Sequence, residues 1–150
     1  MVARLTTLVL GLAVMGTACG ERAAPMSPAT TSTLAGRWSG DLLIGATASR
    51  MTWTLTQDAM QVSGPVLVLL PSGTVLLNGV LAGTLNGTTL DYTITVAPGG
   101  IPTLPSCAGQ FGGPVTVVGA PASALDGRFN LISSVCAPPV IDGTFVLTRQ

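Results

Sequence analysis

Residues 51–56 read Met-Thr-Trp-Thr-Leu-Thr and residues 89–96 read Thr-Leu-Asp-Tyr-Thr-Ile-Thr-Val. In both stretches every second side chain is large and apolar, and threonine or aspartate fills the places between. A period of two sends alternate side chains to opposite faces, so each stretch reads as a strand with one buried and one wetted face. The same period recurs on either side. Trp38, Leu42 and Ile44 share a face opposite Arg37, Ser39 and Asp41. Met60 and Val62 open a third run that continues through Val66 to Leu70, with Pro65 expected to mark a bulge or break because proline donates nothing to a ladder. Val75 to Leu85 is a fourth run, and Asn86-Gly87 behind it signals a hairpin. After Val96 a Pro/Gly-rich connection is expected from Ala97 to about Gly113. Val115 to Val118 then makes a short sixth strand, Leu125, Phe129 and Leu131 mark a seventh, and Ile141, Phe145 and Leu147 an eighth. Outside the first eighteen residues no segment has a helical period.

A weak repeat threads these strands: Gly36-Arg37-Trp38, Gly83-Thr84-Leu85, Gly127-Arg128-Phe129 and Gly143-Thr144-Phe145 each read glycine, polar, large apolar. The glycine and the apolar residue share a face. Strands can therefore coil sharply there while a neighbouring side chain fills the space. The irregular spacing excludes a solenoid or propeller. The expected fold is all-β: an antiparallel up-and-down barrel of about eight strands, with a β-sandwich as the alternative.

Gly36-Arg37-Trp38 on the first strand and Arg149 on the last resemble lipocalins and related small barrels. The resemblance implies that Arg149 packs over the Trp38 indole where first and last strands meet, a cation–π contact that closes the barrel. The inward set is then expected to include Trp38, Met51, Trp53, Tyr92, Phe129 and Phe145. These residues either line a pocket for a small apolar ligand, held near Trp53 and Tyr92, or simply fill the interior.

The chain opens with a short positive segment, Met1 to Arg4, then apolar Leu5 to Met15, then Gly16-Thr17-Ala18 before Cys19. This stretch reads as a secretion signal and resembles the signal and lipobox of bacterial lipoproteins. That resemblance implies cleavage before Cys19 and lipidation of it, hence anchoring to a membrane. Gly16 stands where the family favours a larger aliphatic residue. The expected organisation is a signal peptide over 1–18, a lipidated flexible tether over 19–35 rich in Ala, Pro, Ser and Thr, and a barrel over 36–150. Gly20 after the cysteine, where Asp would favour inner-membrane retention, points to the outer membrane, facing periplasm or cell surface.

Three cysteines is an odd number, which an exported chain must explain. With Cys19 taken by lipid, Cys107 and Cys136 remain, either as a disulfide in an oxidising compartment or as two separately buried thiols.

Composition excludes more than it assigns. Only 8% of residues are charged, and six Arg balance six acids without clustering, so no basic patch offers a footprint for nucleic acid. With no histidine, His-based triads, Cys–His pairs and histidine metal sites are out. Asp58, Asp126 and Asp142 are expected in turns, and Asp41 and Asp91 on outer strand faces, none placed as half of an acid–base pair. No phosphate-cradling glycine motif or calcium loop is present. The sequence therefore predicts no enzyme, no cofactor and no metal. Two functions remain: a barrel that binds a small apolar ligand, or a filled barrel that serves as a structural or protein-interaction module. In the second case the partner docks along the long apolar loop with Ile101 and Leu104, where long loops in compact domains carry function.

Overall fold

A computed structural model describes residues 33–150. Cys19 and most of the expected tether lie outside the described residues. Eight strands follow one another: β1 (Gly36–Ile44), β2 (Thr47–Asp58), β3 (Gln61–Leu69), β4 (Val75–Asn86), β5 (Thr89–Val96), β6 (Gly109–Val118), β7 (Ala124–Ser134) and β8 (Asp142–Arg149). Each pairs antiparallel with the next, and β8 returns to β1, giving a closed up-and-down barrel rather than a sandwich. The closing ladder runs from Trp38 opposite Arg149 to Leu43 opposite Thr144. Closure leaves no apolar edge strand to pair with another chain.

The alternation in the sequence sets which way each side chain faces. Along β5, Leu90, Tyr92, Ile94 and Val96 are buried, while Asp91 and Thr95 are exposed. The buried faces of all eight strands merge into one apolar core inside the barrel. The glycine repeat supplies the curvature. Gly127 lies opposite Phe145 and Gly143 opposite Phe129 across β7 and β8, and Gly83 lies opposite Tyr92. A Cβ on Gly127 would stand 3.0 Å from the Phe145 ring and 2.8 Å from Val115. The glycine thus leaves the space that its neighbour's ring occupies, and the sheet can wrap tightly around it.

The structure corrects several boundaries. Strand β6 begins at Gly109, so the connection before it spans only 97–108. Gly112 and Gly113 belong to the strand because β5 comes close: Gly112 pairs with Thr93, Gly113 with Tyr92, and a Cβ on Gly112 would collide with the Tyr92 carbonyl. The break expected at Pro65 is confined to one ladder. The β2–β3 register skips from Trp53↔Val66 to Thr56↔Ser63, while Pro65 stays opposite Val80 on its other side. Pro114 behaves alike, paired with Asp91 on β5 while the β6–β7 register skips from Gly112↔Asn130 to Val115↔Gly127.

At the Asn86-Gly87 hairpin the central residues are Gly87-Thr88. This register sets Leu85 opposite Leu90, an apolar pair that a turn one place earlier would lose. Met60 is a turn residue, 54% exposed, and Ile141 precedes β8 at 66% exposed; neither joins the core. Asp126 lies within β7 opposite Thr116 and Val146, not in a turn.

Candidate functional site

An up-and-down barrel has two ends, and here they differ. One end carries two of the three two-residue connections, Ala59-Met60 and Gly87-Thr88, together with the 119–123 turn and the chain entering at Thr33. Arg149 seals it. Its guanidinium carbon stands 4.5 Å from the centroid of the Trp38 ring. Its Nη1 donates to the Ala35 carbonyl at 2.7 Å, its Nη2 to the Thr33 carbonyl, and its Nε to that of Ala122 at 3.3 Å. The Trp38 indole Nε1 donates to the Leu34 carbonyl at 2.8 Å, and Leu34 is itself buried. Entering chain, first strand and last strand are thus held by one cation and one ring, as the pairing of Trp38 with Arg149 predicted.

The expected inward residues are all buried, Trp38, Met51, Trp53, Tyr92, Phe129 and Phe145 alike. They form two groups. Trp53 touches both Tyr92 and Phe145, with ring centroids 5.1 Å apart in each case, at tilted and edge-on angles. Phe129 instead stacks on Phe111 at 4.6 Å. Phe111 lies outside the expected inward set because the two glycines and proline after it read as loop. The signal was there, since Phe111, Val115 and Val117 keep the two-residue period. These centroid spacings are those of packed aromatic cores, so side chains occupy the middle of the barrel.

Among the described residues no charged side chain is buried, and buried polar atoms are few. The Tyr92 hydroxyl donates to the Arg128 carbonyl at 2.7 Å, and burial pushes its phenol well above the ordinary tyrosine range. Trp53 Nε1 and Ser49 Oγ are buried with no hydrogen-bond partner among the described residues.

The other end carries the 45–46 turn and the connections 70–74, 97–108 and 135–141, the last two being the longest of the barrel. The 97–108 segment lies across it as a lid held largely by its own hydrogen bonds: Gly99 N to Pro105 O, Leu104 N to Ile101 O, and Cys107 N to Leu104 O. Two further bonds tie it outward, Asn78 N to Gly100 O and Val135 N to Ala108 O. Ile101 from this lid and Val140 from the 135–141 connection are each 1% exposed and plug the mouth. Cys107 and Cys136 are joined in a disulfide, Cα atoms 5.6 Å apart and 29 residues apart in sequence, stapling the two connections together. Constraining a loop of that length in the unfolded chain contributes about 3–4 kcal/mol in the chain-entropy account.

Apolar side chains are exposed around this staple. Val135 is 79% exposed, with Ile141, Ile132 and Leu104 also presented to solvent. Elsewhere the outer wall mixes exposed threonines, Thr54, Thr56, Thr95, Thr116 and Thr148, with exposed apolar side chains such as Leu43, Val80, Val118 and Val146. One hollow on that wall, about 370 Å³ over Gly40, has Asp41 and Asp126 on its rim. Asp41 leans instead toward Arg50, 3.9 Å away across β1 and β2, an exposed pair of small energetic weight. Among the described residues no cluster of metal-ligating side chains forms. Compared with known proteins, the chain matches no family model, no curated protein and no solved structure.

Proposed function

We propose that the protein is an exported, membrane-tethered, non-catalytic barrel whose interior is structural and whose loop-bearing end is a binding surface for a partner protein. The observation that carries this reading is the filled interior, with aromatic rings in contact at its centre and Ile101 and Val140 closing its mouth. The apolar-inside, threonine-outside pattern is the reverse of a membrane-spanning barrel, which turns its apolar face to lipid. A protein of this kind meets a membrane through an anchor, and Cys19 is the proposed lipid-bearing residue. The disulfide supports an oxidising compartment, and the Trp38–Arg149 closure supports kinship with lipocalin-like barrels.

Polarity of the barrel makes the reading specific. The chain enters at the Arg149 end, so a tether leading to a membrane leaves the exposed Leu104, Val135 and Ile141 facing away from it, toward a partner. Native mass spectrometry of the purified protein should show the bare chain. A co-purified apolar molecule overturns the structural-interior reading. Replacing Val135 and Ile141 together by glutamate should leave thermal stability unchanged and abolish crosslinking to the partner in membranes. Undiminished crosslinking moves the docking surface elsewhere. Cys19→Ser should release the protein from the membrane fraction or leave it unprocessed.

One observation favours the second reading, an internal ligand. The unpartnered Trp53 Nε1 would suit a small apolar molecule bearing one acceptor beside Tyr92. Quenching of tryptophan fluorescence by such molecules, saturable at one per chain and lost in Trp53→Phe, would favour it over the filled barrel.

A further inference from the structure

The two halves of the disulfide do not stand in the same environment. Cys107 is 3% exposed and packed into the core, whereas Cys136 is half-buried. Both line a hollow of about 320 Å³ bounded by Leu104, Pro105 and Val135 on the surface of the loop-bearing end. The Ser134 hydroxyl sits between the sulfurs, 3.4 Å from Cys136 Sγ and 3.8 Å from Cys107 Sγ, and it also accepts from the Cys136 backbone N–H. We propose that the Cys107–Cys136 bond is a thiol-exchange site that an external dithiol opens by attacking Cys136, freeing the 97–108 lid.

The chemistry balances without further reagents. A thiolate of the dithiol bonds to Cys136 Sγ, the sulfur–sulfur bond breaks, and its electron pair leaves on Cys107. The Ser134 hydroxyl, 3.8 Å from Cys107 Sγ, can turn its one proton from the Ala108 carbonyl to that new thiolate before solvent protonates it. The second thiol of the reductant then attacks the mixed disulfide. It leaves as the oxidised partner, with two protein thiols formed and two electrons transferred. The fold lets this happen locally. Apart from the disulfide, the lid is tied outward by the Asn78 and Val135 backbone bonds, the Ser134 hydroxyl bonded to the Ala108 carbonyl at 3.3 Å, and its buried side chains. The β1–β8 ladder that closes the barrel lies in other segments. This inference goes beyond the interaction reading and holds whether or not a partner docks on the same end.

Oxidised full-length protein is treated with dithiothreitol without denaturant, quenched with iodoacetamide and mapped by mass. Reduction should run at least about tenfold faster than global unfolding measured on the same sample by tryptophan fluorescence. Reduction no faster than unfolding overturns the proposal. Reduced glutathione should leave its adduct on Cys136, and an adduct confined to Cys107 overturns the assigned direction. On reduction, amide exchange should rise across 99–107 while β1 and β8 stay protected. A lid equally protected in both states overturns the release. In folded Cys107→Ser the remaining Cys136 should alkylate readily, and in folded Cys136→Ser the remaining Cys107 should resist. Equal reactivity of the two overturns the asymmetry. Ser134→Ala should slow reduction, and an unchanged rate removes Ser134 from the step.

Discussion

Replacing Arg149 by methionine keeps an unbranched stem and removes the guanidinium, so it measures what the cation contributes to closing the barrel. The guanidinium carbon lies 4.5 Å from the Trp38 ring centroid, and that ring is fully buried. A cation over a desolvated indole contributes about 1–2 kcal/mol. The hydrogen bonds to Thr33, Ala35 and Ala122 lie at the rim and compete with water, so together they add about 1 kcal/mol. The expected loss is therefore about 2–3 kcal/mol. Urea unfolding followed by tryptophan fluorescence reads it directly. Thermal unfolding should drop by about 3–5 °C for each kcal/mol in a domain of this size. A double-mutant cycle with Trp38→Leu separates the ring contact from the rim bonds and should give a coupling of about 1–2 kcal/mol. A coupling near zero, with Arg149→Met costing less than about 0.5 kcal/mol, refutes the closure argument, because an exposed arginine alone costs that little.

Three further outcomes follow from local geometry. The single tyrosine, Tyr92, is held neutral by burial, so its absorbance step should be missing near the usual pH of about 10. Since the unfolded chain gives up that proton first, Tyr92 adds full stability below about pH 10 and loses it as pH rises further; a normal phenolate titration in folded protein contradicts this. Ala59 is held at φ 50° in the two-residue β2–β3 turn, so Ala59→Gly should stabilise by about 0.5–1 kcal/mol in urea titrations. Gly143→Ala should destabilise by about 1–3 kcal/mol, because the added methyl meets the Leu43 carbonyl at 2.7 Å and Leu42 Cδ1 at 2.9 Å; an unchanged midpoint contradicts the tight-wrapping argument.

What the sequence made legible is what a period can carry. Thr52 through Thr56 and Thr89 through Val96 announce their faces because each alternate residue meets either core or water. Barrel closure was legible too, since Trp38 on the first strand and Arg149 on the last share the parity of the inward face and meet at one end of the closing ladder. Strand β6 was half hidden because Gly112 and Gly113 stand in the alternation for a different reason. The close approach of β5 allows no Cβ at Gly112, and that is a property of a neighbour not visible along the chain. The loss of Phe111 from the expected core follows from the same cause. Ile141 fails in the opposite sense: it keeps the parity of Phe145 and Leu147, but the chain has not yet entered the sheet, and the side chain stays outside.

Physical constraint and functional freedom divide along the same line. Strand positions are held by two faces and two neighbours, so a change such as Gly143→Ala is felt across the ladder. The connections at the loop-bearing end are held by a few backbone bonds, two plug residues and one disulfide, and their outer side chains contact little of the barrel. Val135 at 79% exposed and Ile141 at 66% add nothing to the core, yet they place apolar surface at the end away from the entering chain. An isolated exposed apolar residue needs no explanation. Val80, Val118 and Val146 are exposed along the wall as well, so the proposed docking rests on the apolar residues gathered beside the disulfide-stapled lid, at the end away from the entering chain.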